Sequence, residues 1–272
     1  MQMVEANGAR IPILGLGTWG LRGRACVRLV EEALRLGYRH FDTAQMYENE
    51  AEVGEALRNS SLKRDSLFLT TKVAHTNFRA GEFERSVEAS MARLKLPYVD
   101  LLLLHWPNPA VPLKETIGAL CKMKERGLTR HVGVSNFTVK LVDEAVRLSS
   151  APIVNNQIEL HPFVDASKVI AACKRHGVSV TAYSPIARGR VKGERVLEKI
   201  GKAHGKSAAQ VSLRYLVQQG IIAIPRTSKP ERLAENAAIF DFQLSKPEMD
   251  EIRALSRAGA RVVNVSWAPD WD

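Results

Sequence analysis

YRHFD (38–42), LFLTTK (67–72) and VDLLLLH (99–105) are the three stretches whose reading decides the fold. Each is a short apolar run of buried-strand length. Helix-patterned segments near 50–58 and 80–95 separate them, so the three strands are expected side by side and parallel in one sheet. Their C-terminal ends then face the same way. Asp42, Lys72 and His105 close the three runs, and Tyr47 follows Asp42 by five residues. The pattern therefore predicts three ionisable groups and a phenol at one rim, where parallel α/β folds carry their chemistry.

Outward from these runs the same alternation continues. ARIPILGLG (9–17) precedes the amphipathic CVRLVEEALRLG (26–37), and a helix near 112–126 follows VDLLLLH. RHVGVS leads into a helix near 138–148, IVNNQIE into one near 166–176, and VSVTAYS into helical turns ending at Gln219. IIAIPR then precedes PERLAENAAIF (230–240). Eight strand–helix units predict an α/β chain closed as a (β/α)8 TIM barrel, and 272 residues suit that closure. Two pieces lie outside the count. Asn7-Gly8 is a type I′ turn signal, which predicts an N-terminal β-hairpin plugging the barrel bottom. Ser245 with Glu248 three residues on is a capping box, which predicts an extra C-terminal helix before a tail loop from Gly259. No linker or composition shift divides residues 1–272, so one domain is expected.

Composition narrows the function classes. The chain is 45% hydrophobic, enough for a large core, and carries a net charge of +10 from 39 basic and 29 acidic residues. That surface can attract anions, but no nucleic-acid motif or basic–aromatic interleaving accompanies it, so no nucleic-acid partner is expected. Cys26, Cys121 and Cys173 are odd in number and far apart, which excludes a disulfide framework and a CxxC metal or redox site. No metal is expected. MQMVEANGAR lacks an apolar signal core, and no run approaches the roughly 18 apolar residues of a membrane span. The expected location is cytoplasmic.

GLGTWG (15–20) satisfies the dinucleotide pattern G-x-G-x-x-G, and Asp42 lies near the expected acidic position. In that motif the helix N-terminus begins within the glycines and points its N–H groups at a pyrophosphate. Here Leu21-Arg22-Gly23-Arg24 intervene and Trp19 occupies the approach. The segment is read as a tight turn after strand one that presents Trp19 to a pocket.

At the rim, Lys72 ends an apolar strand and needs an anion, which Asp42 on the adjacent strand supplies. An ammonium beside Tyr47 favours phenolate, so Lys72 is expected to lower the tyrosine's pKa and make it a general acid near neutral pH. His105 can orient a substrate oxygen. Taken singly, each residue also has a structural reading: a core histidine, a buried ion pair, a surface tyrosine. Four together at one rim are harder to explain that way.

GLGTW (15–19), DTAQMYENE (42–50), TTK (70–72), LLLLHWP (101–107), GVSNF (133–137), NNQIELHP (155–162), AYSPIARG (182–189) and IPRTSKPERLAEN (224–236) together resemble the aldo-keto reductase family over essentially the whole chain. Within it, the length and the ending APDWD look most like the bacterial 2,5-diketo-D-gluconate reductase B group, whose members also reduce methylglyoxal. The resemblance implies an enzyme in which the tetrad Asp42, Tyr47, Lys72 and His105 reduces a carbonyl. It also implies a nicotinamide dinucleotide across the barrel mouth. Ser135, Asn136 and Gln157 match residues that hold the carboxamide, and Tyr183 matches the aromatic that stacks on the nicotinamide. Ser184 and Ile186, in the strand-seven loop, belong to the same implied set.

Arg226, Thr227, Ser228 and Arg232 match positions used for an adenosine 2′-phosphate. Two arginines suit that dianion, so NADPH (NADP+) is expected over NADH. Glu235 and Asn236 match residues contacting adenine. The family pattern implies a monomer acting on a small-molecule carbonyl substrate. Two departures stand out. Ala187-Arg188 replaces the Leu-Gly type loop of many relatives, leaving the pyrophosphate contacts open. VAHTNF after Lys72 lacks a tryptophan that larger members carry, and the tail is short, so an open pocket is expected. Trp19, Trp106 and Trp267 are candidate apolar walls for substrate, with core packing as the other reading of each. The rival class is a non-catalytic NADPH-binding redox sensor or structural protein on the same fold; four intact tetrad positions favour the enzyme.

Overall fold

The computed structural model describes residues 2–272. The chain begins with the antiparallel hairpin of β1 (Met3–Ala6) and β2 (Ala9–Pro12). Its turn residues Asn7 (φ 46°) and Gly8 (φ 86°) both take positive φ, as a type I′ turn requires. The first barrel units follow as β3 (Leu16–Gly17), α1 (Gly23–Arg35), β4 (His40–Asp42), α2 (Glu50–Asn59), β5 (Phe68–Val73) and α3 (Glu82–Leu94). Then come β6 (Val99–Leu104), α4 (Leu113–Glu125), β7 (Thr129–Ser135), α5 (Val139–Leu148), β8 (Ile153–Glu159) and α6 (Ser167–Arg175). The chain continues through β9 (Ser179–Tyr183), α7 (Arg195–His204), α8 (Ala208–Val217), β10 (Ile222–Ala223), α9 (Glu231–Ala237) and α10 (Lys246–Arg253).

Strands β3 to β10 lie parallel in sequence order. The ring closes where Leu14 bridges Ala223 and where the Gly15 and Gly17 N–H groups donate to the carbonyls of Ala223 and Pro225 (2.9 and 3.1 Å). The two glycines of GLG are required by this seam. A Cβ on Gly15 would stand 2.8 Å from the His40 ring, and one on Gly17 would stand 2.8 Å from the Ile224 carbonyl oxygen. GLGTWG is thus a closing seam and a turn, as the sequence argued against a phosphate loop.

Burial follows the sequence pattern. All six residues of β6 are buried, as a strand covered on both faces demands. The buried residues of α1, Cys26, Val27, Leu29, Val30, Ala33 and Leu34, recur at helical spacing and make one face. Ile11 and Ala9 of the hairpin pack with Phe68, Leu101, Leu103, Val154 and Ile222, so the hairpin seals the barrel interior from below. The expected capping box at Ser245–Glu248 starts α10.

Boundaries differ where closure overrides local pattern. The run 9–17 splits, its first half pairing in the hairpin and only Leu16–Gly17 forming barrel strand. The strand expected at 221–226 is reduced to Ile222–Ala223, because the chain leaves the ring to reach the rim. All three cysteines are buried and free. Among the described residues no helix is long and apolar enough to cross a membrane, and no cluster of three His, Cys, Asp or Glu side chains is placed to hold a metal.

Candidate active site

The register of β4, β5 and β6 brings Asp42 and Lys72 to adjacent strand ends, and His105 follows the last residue of β6. Both charges are fully buried, and Lys72 Nζ donates to Asp42 Oδ1 at 2.5 Å and to the Thr43 carbonyl at 2.9 Å. Tyr47 lies in a 3₁₀ turn over Gln45–Tyr47, which swings its ring back over the strand ends. Its hydroxyl accepts from Lys72 Nζ at 3.3 Å, and its ring meets His105 edge-on with centroids 5.6 Å apart. The four expected residues meet at one point.

A hydrogen-bonded path continues from them along the rim. Asp42 Oδ2 accepts from Gln157 Nε2 at 2.7 Å, and the Gln157 carbonyl accepts from Ser135 Oγ at 2.8 Å. Asn136 Nδ2 donates to Ser135 Oγ and to the His105 carbonyl, while Asn136 Oδ1 accepts from the Tyr183 hydroxyl at 2.9 Å. Asn136 holds φ at 64°, in the left-handed region that asparagine enters more readily than most non-glycine residues. Lys72, Asp42, Gln157, Ser135, Asn136 and Tyr183 therefore form one connected network.

One electrostatic expectation is overturned. Burial, reinforced by the Asp42 charge, pushes the Tyr47 hydroxyl well above the ordinary tyrosine range. Lys72 does not lower it, because its charge is matched by Asp42 at 2.5 Å and the phenolate would have to form in a desolvated site. Burial likewise lowers Lys72 from its ordinary value against the pull of Asp42. His105 is driven well below the usual histidine range by burial, then by Lys72 and His75. The site at rest thus holds a protonated phenol and a neutral imidazole. The buried His105 Nδ1 has no hydrogen-bond partner among the described residues.

These groups open onto a cavity of about 480 Å³. Asp42, Tyr47, His105, Ser135, Asn136, Gln157, Tyr183, Ser184, Ile186, Arg226, Thr227, Ser228 and Arg232 all line it, as do Trp19, Trp106 and Trp267. Lys72 is not part of the lining and meets the cavity wall through Asp42 and Tyr47. Glu235 and Asn236 are not brought to it: Glu235 accepts from Ser207 Oγ at 2.6 Å, and Asn236 is buried. Arg226 donates to the carbonyls of Trp19 and Gly20, tying the turn after β3 to the loop after β10. Arg188 stacks over the Trp19 ring at 4.8 Å and also lines the cavity. Its loop is strained, with Ser184, Ala187 and Arg188 all at φ near +50°.

The tail adds residues that sequence reasoning did not assign. Val263 and Val265 join the expected Trp267 in the cavity wall. Glu159, fully buried at the end of β8, accepts the Val262 and Val263 N–H groups at 2.5 and 3.0 Å and contacts His161 Nε2 at 3.0 Å. Trp267 stacks on His75, Arg261 lies 3.7 Å over the Trp271 ring, and Trp271 meets Trp106 edge-on. A carboxylate ending the apolar-patterned IVNNQIE was the available signal, as costly there as Lys72 on β5.

The family model described as "Aldo/keto reductase family" matches residues 13–257. Methylglyoxal reductase DkgB of Yersinia pestis is 40% identical over 96% of this chain and 99% of its own length. Glyoxal reductase of Bacillus subtilis is 38% identical over 92% of this chain and 91% of its own. A crystal structure assigned provisionally as a 2,5-diketo-D-gluconic acid reductase B superposes with a TM-score of 0.98 at 49% identity, covering 100% of this chain and 98% of that one. The aldose reductase of Schistosoma japonicum superposes with a TM-score of 0.90 at 34% identity, covering 95% and 94%.

Proposed function

Because the chain belongs to the aldo/keto reductase family, we propose that it is an NADPH-dependent carbonyl reductase in which Tyr47 is the proton donor. Membership makes it an oxidoreductase of carbonyl compounds that uses a nicotinamide cofactor. The observation that carries the finer reading is the unbroken path of hydrogen bonds from Tyr183 to Tyr47, which couples the candidate cofactor face to the candidate acid.

When bound, the reduced nicotinamide supplies the hydride that the substrate's carbonyl carbon accepts. Ser135, Asn136 and Gln157 would hold its carboxamide, and the Tyr183 ring would lie against its face. As negative charge develops on the substrate oxygen, the Tyr47 hydroxyl gives up its proton to it. Lys72 Nζ, 3.3 Å from that hydroxyl, then stabilises the phenolate left behind. Asp42 holds Lys72, and Gln157 holds Asp42. The neutral His105 donates an N–H to the substrate oxygen and orients it.

Preference for NADPH rests on Arg226, Thr227, Ser228 and Arg232 at the mouth; of the two arginines, Arg232 is the one with no hydrogen bond from its guanidinium among the described residues. A 2′-phosphate would meet that charge, whereas an unphosphorylated ribose would not. Glu235 and Asn236 would contact adenine only beyond the cavity's present edge. Substrates are small dicarbonyls such as methylglyoxal, or keto-sugar acids such as 2,5-diketo-D-gluconate, the compounds for which the relatives are named. The chain is read as one barrel domain acting as a cytoplasmic monomer.

The test follows NADPH oxidation by absorbance with methylglyoxal, 2,5-diketo-D-gluconate and a nitrobenzaldehyde, with NADH in parallel. Turnover with NADPH is expected. Tight NADPH binding with no turnover of any carbonyl would instead identify a non-catalytic sensor.

A further inference from the structure

Trp267 lines the cavity, yet it is 42% exposed. It lies between two fastened points of the tail, the hold of Glu159 on Val262 and Val263 and the contact of Trp271 with Trp106. The Ala268 N–H donates to the Val265 carbonyl at 3.0 Å, closing a turn around it. Backbone fastening alone leaves an exposed indole several staggered rotamers. Its ring is found stacked on His75, with centroids 5.0 Å apart and planes 26° from parallel. His75 follows β5 in the short turn His75–Asn77 and is not itself part of the cavity lining.

The backbone that carries His75 is fixed from both sides. Gln45 Oε1, from the turn of Tyr47, accepts from the Ala74 N–H at 2.9 Å and from Asn77 Nδ2 at 3.1 Å. The His75 carbonyl accepts from Asn108 Nδ2 at 2.8 Å, in the segment after His105. The imidazole is a different case, because its Nδ1 is buried with no hydrogen-bond partner among the described residues. Burial also lowers His75 from the ordinary histidine range, so the ring that meets Trp267 at neutral pH is uncharged. A rigid turn thus offers a neutral aromatic face, and the indole takes it up.

We propose that His75 is a positioning residue: it holds the Trp267 indole at the cavity as a wall for carbonyl compounds that extend beyond the reacting group. This rests on the carbonyl-reductase reading above. An aromatic aldehyde has a ring face left over to cover that wall, whereas a three-carbon dicarbonyl such as methylglyoxal has little surface besides its reacting groups. His75 therefore acts on selectivity between the two through Trp267, without touching either.

The experiment measures kcat/KM for 4-nitrobenzaldehyde and for methylglyoxal at saturating NADPH. In His75→Ala the ratio of the first to the second is expected to fall about three- to tenfold, the worth of one aromatic stack, through KM rather than kcat. His75→Phe restores a stacking face without ring nitrogens and is expected to bring the ratio back to within about twofold of the parent. Trp267→Ala should show the same loss, with no further loss when His75→Ala is added to it. A second arm titrates 4-nitrobenzyl alcohol into the NADP+-bound parent and His75→Ala proteins while tryptophan fluorescence is followed. Weaker binding by a similar factor is expected in the variant. This arm needs no turnover, so the role of His75 is read even if the catalytic reading fails. An unchanged ratio in His75→Ala would overturn the proposal. So would a His75→Phe protein as poor as His75→Ala, losses that add in the double variant, or a parent protein that does not bind the alcohol.

Discussion

On one side of the barrel mouth, Asp42, Lys72, Tyr47 and Gln157 are joined by hydrogen bonds of 2.5 to 3.3 Å, with every charge matched inside the protein. On the other, Arg188 and Arg232 stand exposed without an ion-pair partner among the described residues. The first side is complete before any ligand arrives; the second has charge that only a ligand can match. Groups that act on a developing charge gain by being fixed beforehand. Groups that select an incoming anion gain by keeping their charge unspent.

Changes on the two sides should therefore separate. Tyr47→Phe removes the acid but no cofactor contact. It is expected to lower kcat by about 10²-fold or more while leaving NADPH affinity, read by fluorescence titration, nearly unchanged. Retained turnover would break the comparison outright. Lys72→Met leaves Asp42 as a buried unpaired charge and is expected to cost about 3–5 kcal/mol of stability, measured by urea unfolding. Asp42→Asn combined with Lys72→Met should recover part of that loss. On the open side, Arg232→Ala is expected to weaken NADPH by about tenfold, in line with the value of a charge-assisted hydrogen bond, with NADH affinity and protein stability unaffected. Equal loss for both cofactors would show that Arg232 does not read a 2′-phosphate.

The matched side also sets a pH dependence. His40, buried between the Pro12 carbonyl and Thr70, is lowered from 6.5 to about 4, chiefly by burial. The unfolded chain takes up its proton as pH falls below about 6.5, and the native state does so only near 4. The stabilising contribution is therefore full above pH 6.5 and lost between 6.5 and 4, amounting to roughly 3 kcal/mol. His105 is shifted in the same direction. Urea midpoints at pH 7.5 and 4.5 should reveal the loss, and His40→Gln should reduce it. The smallest effect is expected at Glu159→Gln. Its amide keeps one acceptor for the tail N–H groups, so the tail should loosen, read as faster proteolysis after Arg257 and a raised carbonyl KM with unchanged NADPH affinity.

How much of this was legible differs from residue to residue. Asp42, Lys72 and His105 were readable because each closes a run whose periodicity marks a strand, and parallel strands share an end. Tyr47 was readable from its distance along the chain, but its protonation state was not, since desolvation and the Asp42 charge act only once the rim is assembled. The net charge of +10 suggested an affinity for anions, and only the fold brings Arg188, Arg226 and Arg232 of that charge to the cavity. Glu235 and Asn236 matched a family pattern, yet the fold turns Glu235 to Ser207 and buries Asn236.

The sequence by itself determined the eight strand–helix units, the hairpin turn at Asn7-Gly8, the capping box of α10 and the residues that end at the rim. Those features are written within a few neighbouring residues, through apolar period and turn chemistry. The tertiary structure alone decided the closing seam at Gly15 and Gly17, the path from Tyr183 to Tyr47, the hold of Glu159 on Val262 and Val263, and the division of cations across the mouth. Each depends on residues distant in the chain, such as Glu159 and Val262 at a separation of 103, whose meeting is set by strand register and ring closure rather than by any local pattern.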